Sequence, residues 1–187
     1  MKIDKSDKVV TERLDRVTCF VVKYLCEQGI TISTAESCTG GLLSSAITSV
    51  PGSSKIFWLG VCSYSERAKV DYLGVDGDVI KKYGVYSRQT ASAMAQAIKK
   101  KSGSQIGVGI TGIAGPLPDE DGKRAGTVYV AVTDGVKEIV KNLALYDGSI
   151  RPTRENIRKE SVTRALCMVM ELIGHDMKEV IGNVYDE

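Results

Sequence analysis

The hydrophobic period switches repeatedly along this chain, and that alternation constrains its fold more than any other feature. Val10, Leu14, Val17, Val21 and Tyr24 step by four and three, so about Lys8 to Gln28 is predicted to be an amphipathic helix ended by Gly29. Ile30 to Ala35 instead alternates apolar with small polar residues, as a strand does, and runs directly into Glu36-Ser37-Cys38-Thr39-Gly40-Gly41. A helix from about Gly40 to Val50 follows and stops at Pro51-Gly52. Ile56 to Tyr64, rich in β-branched and aromatic residues, is expected to be a second strand, leading to a short helix that carries Ala68, Lys69 and Leu73. Ser87 is placed to cap an Ala- and Met-rich helix reaching Lys101. Ile106, Val108 and Ile110 form a third strand ending at Thr111-Gly112-Ile113-Ala114-Gly115-Pro116, and Leu117 to Lys123 is an exposed loop. Strands at Thr127 to Val132 and Glu138 to Ala144 flank Asp134-Gly135, a hairpin turn. Val162, Leu166, Val169 and Ile173 mark the core face of a long last helix.

Strands interleaved with helices predict an α/β domain, and the hairpin makes its mainly five-stranded sheet mixed. At 187 residues the chain fits one domain over 1–187, with a core from about 8 to 175. With 43% hydrophobic and 26% charged residues it has the composition of a soluble globular protein. No apolar run approaches a membrane span, and the first residues lack the apolar core of a secretory signal, so the expected location is the cytoplasm. A net charge of +2 argues against nucleic acid as a partner. The one basic run, Lys99 to Lys101, ends a predicted helix, where cations complement the helix dipole. The cysteines (Cys19, Cys26, Cys38, Cys62, Cys167) are odd in number and contain no C-x-x-C pair, which suits reduced thiols; all but Cys38 are expected to be buried as small hydrophobes.

Gly107-x-Gly109-x-x-Gly112 matches the dinucleotide fingerprint in letters, but that motif must bridge a strand to a helix. Here it lies inside a strand that leads into a Pro-containing loop, so the glycines are read instead as letting another backbone or a ligand approach closely. The stretch Ala35 to Gly41 has the better chemistry. A strand that opens into a helix through two glycines offers unpaired amides at a helix N-terminus, where they can hold a phosphate or a developing oxyanion. The competing reading makes Thr39 an N-cap and the glycines aids to tight packing. A nucleophilic Ser37 needs a base, and the only histidine, His175, sits at the expected end of the last helix. A lysine neutralised by burial is the main substitute, and Lys69 follows the second strand, which can lie beside the first. One histidine and scattered cysteines give no metal-ligand spacing, so no metal or other cofactor is expected.

Thr34 to Gly41, Ser49-Val50-Pro51-Gly52-Ser53-Ser54, Tyr64-Ser65 with Ala68-Lys69, Leu73-Gly74-Val75, Thr111 to Pro116 and Gly126-Thr127-Val128 occur in the order seen in the CinA C-terminal domain family. The chain resembles a stand-alone member over roughly Leu14 to Ile173. The resemblance implies a three-layer α/β/α fold and a homo-oligomer, dimer or trimer, that deamidates the small-molecule nucleotide nicotinamide mononucleotide to nicotinate mononucleotide and ammonia. It places the family's catalytic serine, lysine and tyrosine on Ser37, Lys69 and Tyr64, and a substrate-binding hydroxyl on Thr111 beside Gly112. Together with oxyanion donors near Thr39, Gly40 and Gly41, these make up the expected site. The family's arginine is replaced by Leu59 and its asparagine by Glu66, and Leu117 to Asp121 stands in its Gly-rich loop. Its G-D-R before the last helix becomes a longer segment, Asp147 to Arg154, whose Arg154, with Arg151 as the alternative, is matched to the substrate phosphate. Two rivals stay open: a catalytically silent nucleotide-binding or accessory protein linked to competence or DNA damage, and an amidase that uses Cys38 with Glu36 and Lys69.

Overall fold

The computed structural model describes residues 5–181. Helix α1 (Lys5–Gln28) leads to strand β1 (Ile32–Glu36), helix α2 (Leu42–Ser49) and strand β2 (Phe57–Cys62). Then come α3 (Glu66–Ala68), which widens into a π-helical turn over Lys69–Leu73, and helices α4 (Gly77–Tyr83) and α5 (Arg88–Ser102). Strands β3 (Ile106–Gly112), β4 (Val128–Thr133) and β5 (Glu138–Asn142) precede α6 (Arg154–Leu172) and α7 (Lys178–Ile181). The sheet order is β2-β1-β3-β4-β5, with β1 parallel to both β2 and β3 and the other two pairings antiparallel.

Side-chain alternation assigns the two faces. Ile32 of β1, Ile106, Val108 and Ile110 of β3 and Val128, Val130 and Val132 of β4 pack in one cluster with α1, α2 and α6. Residues between them face the other way: Ala35 packs with Met94 and Ile98 of α5, and Ala131 with Ala91 and Ala95. The result is an α/β/α sandwich around a mixed, open five-stranded sheet. Gly107 and Gly109 explain how α5 lies so close to β3. A Cβ at Gly107 would stand 2.2 Å from the Ala95 carbonyl oxygen, and one at Gly109 would stand 2.3 Å from that of Ala91. The glycine alternation therefore admits a helix backbone, the first of the two approaches the sequence allowed.

Element existence and order follow the hydrophobic pattern, and the differences have local causes. Ser87 caps α5 as expected, accepting from the Thr90 amide. The short α4 escaped the periodicity reading because its seven residues bury only Ile80. The cysteine expectation is corrected: Cys62 is exposed because β2 is an edge strand, and Cys19, Cys26 and Cys167 are half-buried. The His175 amide closes the end of α6 by donating to Met170 O at 2.9 Å, and its ring does not stand free in solvent: it lies 4.8 Å from Tyr24 and 5.5 Å from Phe20, against α1. A buried ion pair between Arg13 and Glu160 ties α1 to α6, and Arg164 bonds the same carboxylate at 2.7 Å. Among the described residues no helix is long and apolar enough to cross a membrane.

Candidate active site

The chain leaves β1 for β2 on one side and then crosses to β3 on the other, while α2 and α5 cover opposite faces. Such a reversal opens a crevice at the carboxyl ends of parallel strands, the usual ligand position in open α/β sheets. Three segments meet there: Ser37 just after β1, Lys69 beyond β2, and Gly112 to Gly115 at the end of β3.

Lys69 is fully buried, and its Nζ is 3.0 Å from Ser37 Oγ. The same nitrogen donates to the carbonyls of Ser63 at 2.8 Å and Tyr64 at 3.2 Å. No ion pair to a carboxylate stabilises its charge among the described residues, and burial pulls its pKa down from 10.5 to about 8. The arithmetic of donors then matters. A neutral amine has two N–H groups, which the two carbonyls can take, and one lone pair, which is left for the Ser37 hydroxyl. The wide turn that begins at Lys69 holds its backbone as well, because the Val75 amide donates to the Lys69 carbonyl at 2.9 Å.

The turn after Ser37 differs from its expected form. Thr39 is not an N-cap: Gly41, with φ 88°, occupies that position, and Gly40 is also left-handed at φ 58°. The cap of α2 comes from the strand instead. The buried Glu36 carboxylate accepts from the amides of Leu43 at 3.0 Å and Ser44 at 2.8 Å, and from the Ser44 hydroxyl at 2.7 Å. The first-turn amides of α2 are thus occupied, which removes them as oxyanion donors and commits Glu36 to holding the turn. Ser37 N bonds Ile110 O and Gly40 N bonds Ser37 O, whereas the amides of Cys38 and Thr39 donate to no carbonyl among the described residues.

A cavity of about 200 Å³ stands over the serine, lined by Ser37, Cys38, Tyr64, Tyr86, Gly112 to Gly115, Leu117, Asp119 and Arg154. It brings together Ser37, Tyr64, Gly112 and Arg154 of the expected set, with Lys69 immediately beneath. Arg154 bridges two walls, donating to Gly115 O at 2.7 Å and to Tyr64 Oη at 3.2 Å. Its alternative, Arg151, turns instead toward Asp7 at 3.6 Å. Thr39, Gly40, Gly41 and Thr111 are not in the cavity wall. The Thr111 hydroxyl is buried and donates to Val85 O at 2.9 Å, which fixes the segment entering α5. Gly40 faces the Arg158 side chain, and Arg158 donates to Thr39 O from Nε at 3.2 Å and from its terminal nitrogen at 2.7 Å. Cys38 shares the wall, but burial pushes its thiol up to about 12, away from thiolate. Tyr86 and Asp119 were missed in sequence: they reach the site from the α4–α5 connection and a charged loop, with no periodic or motif signal.

Fold and site together define a class: a mixed-sheet α/β domain that sets a buried, unpaired lysine against a serine at the switch point of its sheet. The chain belongs to the CinA C-terminal domain family, which matches residues 14–173. A CinA-like protein from Kosmotoga olearia is 48% identical over 67% of this chain and 30% of its own length, and one from Cytophaga hutchinsonii is 36% identical over 89% and 38%. The chain therefore spans about a third of these curated relatives. Among solved structures, the competence/damage inducible protein CihA from Agrobacterium tumefaciens matches at 33% identity and TM-score 0.79, over 86% of this chain and 96% of that one. A competence-damaged protein (CinA) superfamily protein from Escherichia coli matches at 25% identity and TM-score 0.78, over 92% and 94%.

Proposed function

We propose that the chain hydrolyses the carboxamide of nicotinamide mononucleotide, giving nicotinate mononucleotide and ammonia by serine–lysine chemistry. The observation that carries this reading is the fully buried Lys69 with its Nζ 3.0 Å from Ser37 Oγ. Ser37 Oγ attacks the carbonyl carbon as its proton passes to neutral Lys69. The negative charge on the carbonyl oxygen is met by the amide of Cys38, which follows the nucleophile, lines the cavity and donates to no carbonyl among the described residues. Collapse of the adduct breaks the C–N bond while Lys69 returns its proton to the departing nitrogen, leaving an ester on Ser37. Lys69 then takes a proton from water, the resulting hydroxide attacks the ester, and the acid leaves as Ser37 is reprotonated.

The cavity suits this substrate class in charge. A pyridinium nucleotide is cationic at its ring and anionic at its phosphate, and the wall carries Asp119, the aromatic residues Tyr64 and Tyr86, and the guanidinium of Arg154. Tyr64, 60% exposed and bonded to Arg154, orients that guanidinium and closes one side of the site. Function by a homo-oligomer, which the family resemblance implies, is part of the proposal.

Ammonia release from nicotinamide mononucleotide tests it. The purified protein should turn the substrate over and stay active after prolonged chelation. Ser37→Ala should lose several orders of magnitude, and Cys38→Ala should stay within about tenfold, ~1.4 kcal/mol of transition-state stabilisation. No ammonia from the wild-type protein would favour the silent nucleotide-binding reading.

A further inference from the structure

Basic side chains crowd the wrong end of α6. A helix N-terminus carries partial positive charge, so cations there are unfavourable, and like charges four residues apart add to the strain. Arg154 is the first residue of α6, and Arg158 and Lys159 follow one turn on. Helix α5 has the favourable arrangement, with Lys99, Lys100 and Lys101 in its last turn. Partners sharpen the contrast. Arg13 and Arg164 pair with Glu160, and Arg151 pairs with Asp7. Among the described residues Arg154 and Arg158 enter no ion pair; they donate only to neutral oxygens, those of Gly115 and Tyr64 for the first and of Thr39 for the second. Lys159 is held by Glu155 and by the Thr11 hydroxyl. Positive charge at this helix end exceeds what the protein itself neutralises, and a local rule broken in this way marks a functional site.

A cavity of about 380 Å³ covers the same residues, lined by Leu42, Arg154, Glu155, Arg158 and Lys159. Arg154 also lines the Ser37 cavity, so the two cavities share this residue. In the proposed function the single phosphate uses Arg154, whereas Arg158 and Lys159 line the second cavity and not the first.

We propose that this second cavity is an anion subsite for the distal phosphoryl group of a diphosphate. With the amide at Ser37 and the first phosphoryl group at Arg154, the next, one P–O–P bridge outward, lies against Arg158 and Lys159 in the field of the α6 N-terminus. The inference rests on reading the Ser37 cavity as a nucleotide-amide site, and it extends the substrate class from mononucleotides to dinucleotide amides joined through a diphosphate.

Calorimetric titration of the Ser37→Ala protein with orthophosphate and with pyrophosphate, free of divalent cations, tests it. Pyrophosphate should bind about tenfold more tightly. Lys159→Met in that background should weaken pyrophosphate several-fold and leave orthophosphate unchanged, and Lys100→Met, at the far end of α5, should alter neither. Arg158→Met should abolish the preference; because Arg158 also holds Thr39 O, Lys159→Met keeps the test decisive if that variant does not fold. Equal affinity for the two anions, or pyrophosphate binding indifferent to Lys159→Met, would overturn the subsite. Since Ser37→Ala needs no turnover, a preserved pyrophosphate preference in a protein without amidase activity overturns the catalytic reading alone.

Discussion

Lys69 carries most of the argument at the scale of single residues. A lysine without solvent and, among the described residues, without a carboxylate ion pair is costly to keep charged, and the fold places its amine where deprotonation is useful. Because the charged form cannot accept the Ser37 proton, kcat/KM should rise with pH through about 8 before levelling. In Lys69→Ala that acidic limb should vanish with most of the turnover, while circular dichroism stays native; near-normal turnover would remove Lys69 from the mechanism. Neighbouring Cys38 illustrates the opposite case. Its thiol is raised to about 12 by burial, so sharing a cavity wall with Ser37 does not make it a nucleophile.

At the scale of elements, the contact between β3 and α5 is the most exacting. Gly109 is a place where a single methyl would do harm, since its Cβ would stand 2.3 Å from Ala91 O and 2.6 Å from Ala95 N, both in the α5 backbone. Gly109→Ala should cost about 3 kcal/mol, read as a lowered denaturant midpoint at unchanged m-value. A change below ~1 kcal/mol would mean that α5 can shift without loss. This element was legible in sequence because Ile106, Val108 and Ile110 alternate with glycines, and the failed dinucleotide match told which side of that strand was bare. The α2 N-terminus was not legible. Thr39 has the side chain of a cap, but Glu36 reaches the Leu43 and Ser44 amides across the turn, a contact between two elements that no local propensity encodes. For the same reason Ser37 and Lys69 could be named from motifs, whereas Tyr86 and Asp119 could not: their place depends on how loops fold back over the sheet.

For the whole molecule, Lys69 links catalysis to stability. Its folded pKa of about 8 lies below the ordinary 10.5, so between those values the unfolded chain binds more protons and stability rises with pH; below about 8 the penalty is constant and full. Two desolvated thiols act oppositely. Cys38 and Cys167, raised from 9.0 to about 12 and about 11, lose stability as pH climbs above 9. The contribution of Lys69 therefore emerges in a difference curve. Lys69→Met should be more stable than wild type at pH 7, by an amount on the order of 2 kcal/mol, and the gap should narrow from pH 8 to 10.5. A gap independent of pH would place the effect in packing and not in charge.

The central claim, that Ser37 attacks and Lys69 serves it, is tested most directly by the covalent intermediate. Wild-type protein turning over nicotinamide mononucleotide, quenched in acid and fragmented for mass spectrometry, should carry the substrate's acyl group, less ammonia, on Ser37. The same acyl group on Cys38, one residue away in the same peptide, would contradict the account.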